Sequence, residues 1–550
     1  MLALLLYGVL AFVTARQLGV VGEVAIAWSM DAAPAVLIET SPPLWADGAT
    51  PPTVGHTAGP LIASQVRPVE RLMIGDLSLP IAVNRYTGGP PDWPARLLFA
   101  ATGSVGAVLV LHVLLGGLLI VLVHRFLRFH GTDVAAAIAA LMLASDWRFI
   151  FYRRALGGTE IALQAALLLI LWALWSRRWA GGRHGLTALG IGVGLGLMAK
   201  LTFVLPLAGL FAAALVTRWD RPAVRPPLPG RLHRPLLAVL LLTAPLWVTA
   251  IHHGFVPTQP HIRSHDFPDL QWQRVLDALS GGGSPVRESL ANLMYWAGDP
   301  LAFFSVAYDS ELTPRTSPWR VVGWVVLLAG VVVGWRDRHP TPHTALLRFM
   351  SVLVPLQVGA LWLVARDLHH LVVTAPMVAI LAGLSINALA GTVSPPRGFA
   401  RARIAFILAL PWIIVGVQDA RRTDVALSSV SVVTFTEPGQ QALLDLLREH
   451  DVQRLGACDY ELYGVLETRA PDIAVIHGWG AASLTRGEVL PGLLAQVADG
   501  HFLVINASAP MIYNLRPSLG ALSDAAGEVG LVVGEVGRIE GAVLYRVGLP

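Results

Sequence analysis

"GLGLMAKLTFVLP" (Gly194–Pro206) joins two apolar runs, about 186–199 and 201–216, through one charged residue, Lys200. Two runs approaching bilayer length with a turn between them read as a helical hairpin that crosses a membrane twice. Lys200 is the only lysine in the chain, since every other member of the Lys+Arg total of 40 is arginine. An ammonium is a compact point charge and a guanidinium a planar fork, so the exception differs chemically from the rest. At the tip of a hairpin it can be an interfacial anchor with its stem along the helix, or it can meet an anion at headgroup level.

The same pattern runs outward from this hairpin in both directions. Of 550 residues, 54% are hydrophobic and 14% charged, with a mean hydropathy of +0.60; a soluble domain is far more polar. Apolar segments lie at about 2–15, 97–123, 134–151, 161–176, 186–199, 201–216, 235–251, 321–335, 349–365, 371–390 and 404–418. They make eleven candidate spans, several shorter than the ~20 residues of a full crossing, which implies thinning or extension into the loops. Basic clusters at 124–130, 176–184, 218–234, 335–339 and 397–403 occupy every second connection. The positive-inside rule makes those connections cytoplasmic, along with the N-terminus. The net charge of +4 is thereby accounted for by topology, and nucleic acid is excluded as a partner.

The other connections then face outward: about 16–96, 145–160, the Lys200 turn, 252–320, 366–370 and the chain beyond Gln418. From Ser431 the pattern changes. "GQQALLDLLREH" is helical, while "RLGAC", "DIAVIH" and "HFLVIN" read as short buried strands. The expected fold is an α-helical polytopic membrane domain over 1–420, with a small α/β domain on the outer face over 431–550. Cys458 is the only cysteine, so this domain holds together without an internal disulfide.

Ionisable residues concentrate in the outward connections. Glu23, Asp31 and Glu39 lie in the first; Asp146, Arg148, Arg153, Arg154 and Glu160 follow span three; then come Lys200, Arg366, His369 and His370. Carboxylates beside cations at a lipid–water boundary suit a reaction on a lipid-linked phosphate. The cations hold the anionic leaving group, and a carboxylate takes the proton of the incoming nucleophile. Each residue also has a bland reading: Asp31 as a loop or capping carboxylate, Glu160 as a helix N-terminal acid, the arginines and histidines as interfacial anchors. His252 and His253 are helical neighbours about 100° apart and do not form a metal pair. No residue pattern demands a cofactor, and a divalent metal ion stays open.

This arrangement resembles the GT-C glycosyltransferases that use polyprenyl-phosphate sugars, among them protein mannosyltransferases and lipid A aminoarabinose transferases. The resemblance covers about residues 1–420. It rests on the acidic first loop, "FYRRALGGTE", the "GLGLMAKLTF" turn and "RDLHHLVVTAPMVAILAG". In place of the family's frequent Asp-Glu pair the first loop has "SMDAAP", with Asp31. The resemblance implies a bacterial inner-membrane enzyme that moves a hexose or pentose from a polyprenyl-phosphate donor to a lipid, glycan or protein acceptor. Asp31, Glu160 and Asp146 are its candidate catalytic acids, with Glu23 and Glu39 as alternatives for the base. Lys200, Arg153, Arg154, Arg366, His369 and His370 are its candidate phosphate contacts. An O-antigen ligase or oligosaccharyltransferase is a rival within the same chemistry. A transporter or flippase would carry internal repeats, which the sequence lacks.

Overall fold

The computed structural model describes residues 1–15, 71–74, 77–84, 87–102, 104–150, 158–180, 185–217, 233–253, 317–337, 341–365, 372–393, 398–429, 437–457, 466, 470, 472–477, 490–505 and 519–550. Each of the eleven apolar segments contains a helix. They are α1 (Leu2–Ala15), α2 (Trp93–Thr102) followed by α3 (Val105–His130), α4 (Asp133–Ser145), α5 (Gly158–Ala180), α6 (Gly185–Ala199), α7 (Val204–Val216), α8 (His233–His253), α9 (Pro318–Arg336), α10 (Pro342–Ala365), α11 (Ala375–Val393) and α12 (Gly398–Ser429). Among the described residues six helices are long and apolar enough to cross a membrane, and five apolar helices are shorter.

Two expectations are corrected here. The apolar stretch 97–123 is not one helix: it divides between α2 and α3, and the Ser104 side chain caps the second by accepting from the Ala107 amide at 3.3 Å. The basic stretch 124–130 is not a loop but the end of α3, which runs on to His130. Cations in the last helical turn complement its carbonyl dipoles, so the basic cluster extends the helix.

Close backbone approach governs the packing. Apolar surface gains little by leaving lipid for another helix, so contact depends on fit, and small residues allow it. In α6 the glycines alternate. Gly190 and Gly194 face α8, where a Cβ on Gly194 would sit 2.9 Å from Leu242 Cβ. Gly192 faces the opposite way, onto Ile170 and the Ala166 carbonyl of α5. The "GIGVG" run thus gives α6 two smooth faces, and α5 and α8 close on both.

A second set of glycines builds the centre. Gly383 of α11 lies on the Ala135 carbonyl and Ala139 of α4, Gly330 of α9 on the Ser385 carbonyl of α11, and Gly416 of α12 on the Ser145 carbonyl of α4. Helix α11 is consequently buried along most of its length. Two buried glutamines add interhelical hydrogen bonds: Gln164 donates to the Val372 carbonyl at 2.6 Å, and Gln357 donates to the Pro206 carbonyl at 3.3 Å.

Before α2 the chain forms two small antiparallel ladders, β1 (Arg71–Ile74) with β2 (Leu77–Pro80) and β3 (Ala82–Asn84) with β4 (Thr87–Gly88), and a 3-10 turn at Pro90–Asp92. The C-terminal part has its own core, containing Leu443, Leu447, Leu455, Phe502 and Leu544. Its elements are α13 (Glu437–Glu449), β5 (Arg454–Ala457), β6 (Ala474–His477), α14 (Leu490–Gln496), β7 (Gly500–Ile505), α15 (Leu519–Glu528), β8 (Val532–Ile539) and β9 (Ala542–Gly548). The sheet order is β6-β5-β7-β9-β8. The three expected strands are parallel, and β8 and β9 add an antiparallel hairpin that the sequence reading missed.

One of the two tightest of these approaches gives a direct test. A Cβ at Gly416 would collide with the Ser145 carbonyl, so Gly416→Val should separate α12 from α4 and lower stability by at least about 1–3 kcal/mol, the scale of core overpacking. Thermal unfolding in detergent measures it, with the lipid-facing exchange Ile407→Val as a control expected to be near neutral.

Candidate functional site

Two clusters of buried polar residues flank the start of α11. The first is built on the N-terminus of α5. Asp92, on the turn before α2, accepts the Gly158 amide at 2.7 Å across 66 residues of sequence. Gly158 has to be glycine, because a Cβ there would collide with the Pro91 carbonyl and lie 2.7 Å from Asp92 Oδ1. This bond ties the end of the first long connection to the helix that carries Glu160. Glu160 stands in the first turn of α5, where the helix dipole favours an anion. One turn further, Gln164 holds the Val372 carbonyl.

Lys200 belongs to the same end. It follows the last residue of α6, which packs beside α5, and the Pro90–Asp92 turn touches both helices. Its backbone is extended (φ −160°, ψ 128°), so the helix stops there before a 3-10 turn over Leu201–Phe203 begins. Asp92, Glu160 and Lys200 are 2%, 1% and 4% exposed. A lysine snorkelling to the interface would be open, whereas Lys200 is enclosed. Arg96, one helical turn after Asp92, is buried too, and burial lowers its pKa from the ordinary guanidinium value. Desolvation disfavours a charged form, so charges gathered in such a place require compensation from one another or from a ligand.

The second cluster lies beside the first turns of α11. Asp146 ends α4 and caps the short helical turn at 147–150, accepting the Arg148 amide at 2.9 Å and the Phe149 amide at 3.4 Å. It also takes a two-pronged contact from Arg148, at 3.0 Å from Nε and 2.8 Å from Nη2. That turn is fixed by the burial of Trp147, Phe149 and Ile150, with the Phe149 ring 5.8 Å from that of Tyr7. Nearby, Arg320 in the first turn of α9 pairs with Asp419 of α12, both buried. Together with Trp324 and Trp412 these residues line a cavity of about 60 Å³.

Three predicted site residues are therefore located. Glu160 and Lys200 stand at the same end of the packed α5–α6 pair, and Asp146 stands in the second cluster. Asp31, Glu23, Glu39, Arg153, Arg154, Arg366, His369 and His370 lie outside the described residues, as do the side chains of His252 and His253. Asp92, Arg96, Gln164, Arg320 and Asp419 were missed. Their signal is faint: single polar residues just inside or beside apolar runs, as in "PPDWPAR", "SPWRVVGW" and "GVQDARR". Among the described residues no three His, Cys, Asp or Glu side chains gather to hold a metal ion.

Residues 91–248, from the Asp92 turn to α8, match the family model described as dolichyl-phosphate-mannose-protein mannosyltransferase. Over nearly its whole length the chain superposes on ArnT from Cupriavidus metallidurans. For the apo state the TM-score is 0.53 at 12% identity, covering 99% of this chain and 97% of that one. Over nearly its whole length the chain has the fold of that ArnT. The same ArnT bound to undecaprenyl phosphate gives a TM-score of 0.52, again at 12% identity and with 99% and 97% covered. No curated protein matches at significant sequence similarity. The first cluster, with Asp92, Glu160 and Lys200, falls wholly inside the segment that matches the mannosyltransferase model. The Arg320–Asp419 pair lies beyond that segment.

A buried pair predicts asymmetric mutant behaviour. Arg320→Met alone removes a buried cationic partner of the Asp419 carboxylate and should cost about 3–5 kcal/mol, whereas the double variant Arg320→Met with Asp419→Leu should recover part of it. A thermal-unfolding double-mutant cycle in one detergent checks this, with non-additivity as the expected result.

Proposed function

We propose that this GT-C protein transfers a sugar from a polyprenyl-phosphate donor to an acceptor on the outer face of a bacterial inner membrane. The supporting observation is the enclosure of Lys200 beside Asp92 and Glu160, at the end of α5 and α6, within the mannosyltransferase-like segment. In this reading Lys200 pairs with the donor phosphate as a compact charge, assisted by Arg153, Arg154, Arg366 and the His369–His370 pair. Asp31 is the base, with Glu23 and Glu39 as alternatives in the same loop. Glu160 orients the acceptor from the helix N-terminus. Asp146 is engaged by Arg148 and two amides, which favours a positioning role for it.

The chemistry follows from those placements. An acceptor hydroxyl or amine attacks the anomeric carbon, and its proton passes to the base carboxylate. The bond from that carbon to the phosphate oxygen breaks, and polyprenyl phosphate leaves with its new charge held by Lys200. Enclosure strengthens that pairing, because water no longer screens it. The eleven-span topology, with the N-terminus inside and the 431–550 domain outside, puts this end of the bundle on the outer face. An O-antigen ligase or oligosaccharyltransferase shares this layout and differs in donor and acceptor.

Lys200→Met should keep the fold and lower catalytic efficiency roughly ten- to a hundredfold, the scale of one charge-assisted contact, while Lys200→Arg restores only part of it. Transfer from undecaprenyl-phosphate mannose and its other glycosyl analogues in nanodiscs measures this. Wild-type efficiency in Lys200→Met would remove the residue from the phosphate site.

Asp31→Asn should reduce turnover by about a hundredfold or more at unchanged membrane level, as expected for the loss of a general base. If Glu23→Gln or Glu39→Gln shows that loss instead, the base is the corresponding residue.

A further inference from the structure

The C-terminal sheet gathers cations of its own. One row of residues runs across four neighbouring strands: Leu455 of β5 is paired with His501 of β7, His501 with Arg546 of β9, and Arg546 with Gly534 of β8. Opposite residues of an antiparallel pair share a face, with Cβ atoms about 5 Å apart, so His501 and Arg546 are side by side. A third group reaches the same face from α13. His450 follows the last turn of that helix and lies over Gly537, where a Cβ would come within 2.6 Å of His450 Nε2. Gly537 pairs with Leu544, two residues from Arg546 on the same face of β9.

These groups repel one another. Partial burial, then Arg546 and His450, hold the pKa of His501 below the ordinary histidine value. The rest of the row brings no charge, since Leu455 is apolar and Gly534 has no side chain. Glu535 follows Gly534 on β8, alternates to the other face and is gripped by Arg538 at 3.0 and 2.9 Å. The exposed residues Glu449, Asp451 and Asp499 flank the two histidines in the chain. Among the described residues no carboxylate pairs with His450, His501 or Arg546, and the side chains of His501 and Arg546 make no hydrogen bond. Cations collected without a counter-ion cost energy that an anion would return. The approach is open: Arg546 is exposed, and a Cβ at Gly534 would meet nothing within 4 Å.

The donors suit one kind of anion. A guanidinium offers two parallel N–H groups to two oxygens of a tetrahedral oxyanion, and an imidazolium on either side offers one more. A carboxylate has too few oxygens to use them all. We propose that His450, His501 and Arg546 form a binding site for a phosphate group on the C-terminal domain, carried by a lipid headgroup or by a free phosphorylated molecule. The site does not depend on the transferase reading. A bound anion favours the charged imidazoles, so their pKa values are higher in the complex than in the free protein. Binding therefore takes up protons, and affinity rises as pH falls through the values of the complex.

The assay is isothermal titration calorimetry on the full chain in neutral maltoside micelles, in a Lys200→Met background so that the donor end does not contribute. Sulfate is the first probe, a tetrahedral dianion whose charge is constant between pH 5.5 and 7.5. It should bind about tenfold or more tightly at the lower pH, and Arg546→Gln should weaken it by about tenfold or more, the scale of one charge-assisted contact. His501→Gln should reduce the pH dependence. Gly534→Asp sets a carboxylate beside Arg546 in open space and should weaken sulfate while every site residue stays in place. Unchanged thermal-unfolding midpoints show that these variants are folded. Glycerol phosphate and dihexanoyl phosphatidic acid then separate the two sources: equal affinities indicate a free phosphorylated molecule, and a clear preference for the phosphatidic acid indicates a headgroup. Failure of all three probes to bind overturns the site. So does binding unchanged in Arg546→Gln and Gly534→Asp, or sulfate affinity that is flat with pH.

Discussion

Helices in lipid meet only as closely as their backbones allow, and in this chain a few glycines set that distance. Gly383 and Gly330 draw α4 and α9 onto α11, and Gly416 draws α12 onto the Ser145 carbonyl. Those contacts bring the ends of α4, α9 and α12 near enough for Asp146, Arg148, Arg320 and Asp419 to share one cavity. A larger residue at any of these glycines would move a whole helix, because the obstacle is backbone and cannot rotate away. Charge placement follows from the same geometry. Hydrocarbon offers nothing to an ion, so the charged residues of the interior sit where helix ends and turns can surround them.

The two polar clusters differ in what surrounds their charges. Lys200 sits at the meeting of a helix N-terminus, a helix C-terminus and the Pro90–Asp92 turn. Beside the start of α11, Arg148 pairs with Asp146 and Arg320 with Asp419, with Trp324 and Trp412 lining the same cavity. The Gln164 bond to the Val372 carbonyl keeps the two in register, since it fixes the start of α11 to α5.

Much of the helical domain was legible from sequence because long apolar runs leave few alternatives in lipid. The strands β5, β6 and β7 were legible for a similar reason: "RLGAC", "DIAVIH" and "HFLVIN" are short buried runs between helices. The edge strand β8 was not, since "VVGEVGRI" mixes glycine and charge and has no buried face; its pairing to β9 makes it a strand. The division between α2 and α3 was hidden inside continuous hydrophobicity, where only the Ser104 cap marks it. Burial of Lys200 was hidden too, because the turn beside its hairpin comes from more than a hundred residues earlier in the chain. Pairing of Arg320 with Asp419 spans 99 positions, and nothing local announces it.

Enclosure of the one lysine has a practical side. Apart from its α-amine, the chain has a single primary amine, and that amine is 4% exposed. Amine-directed acylation of the folded protein is therefore confined to the terminus, which allows a single fluorophore or tether to be placed there without engineering. The same economy makes Lys200 a reporter. Any condition under which it becomes acylated is one in which the α5–α6 end has opened, and the modified residue needs no deconvolution from neighbours because there are none of its kind.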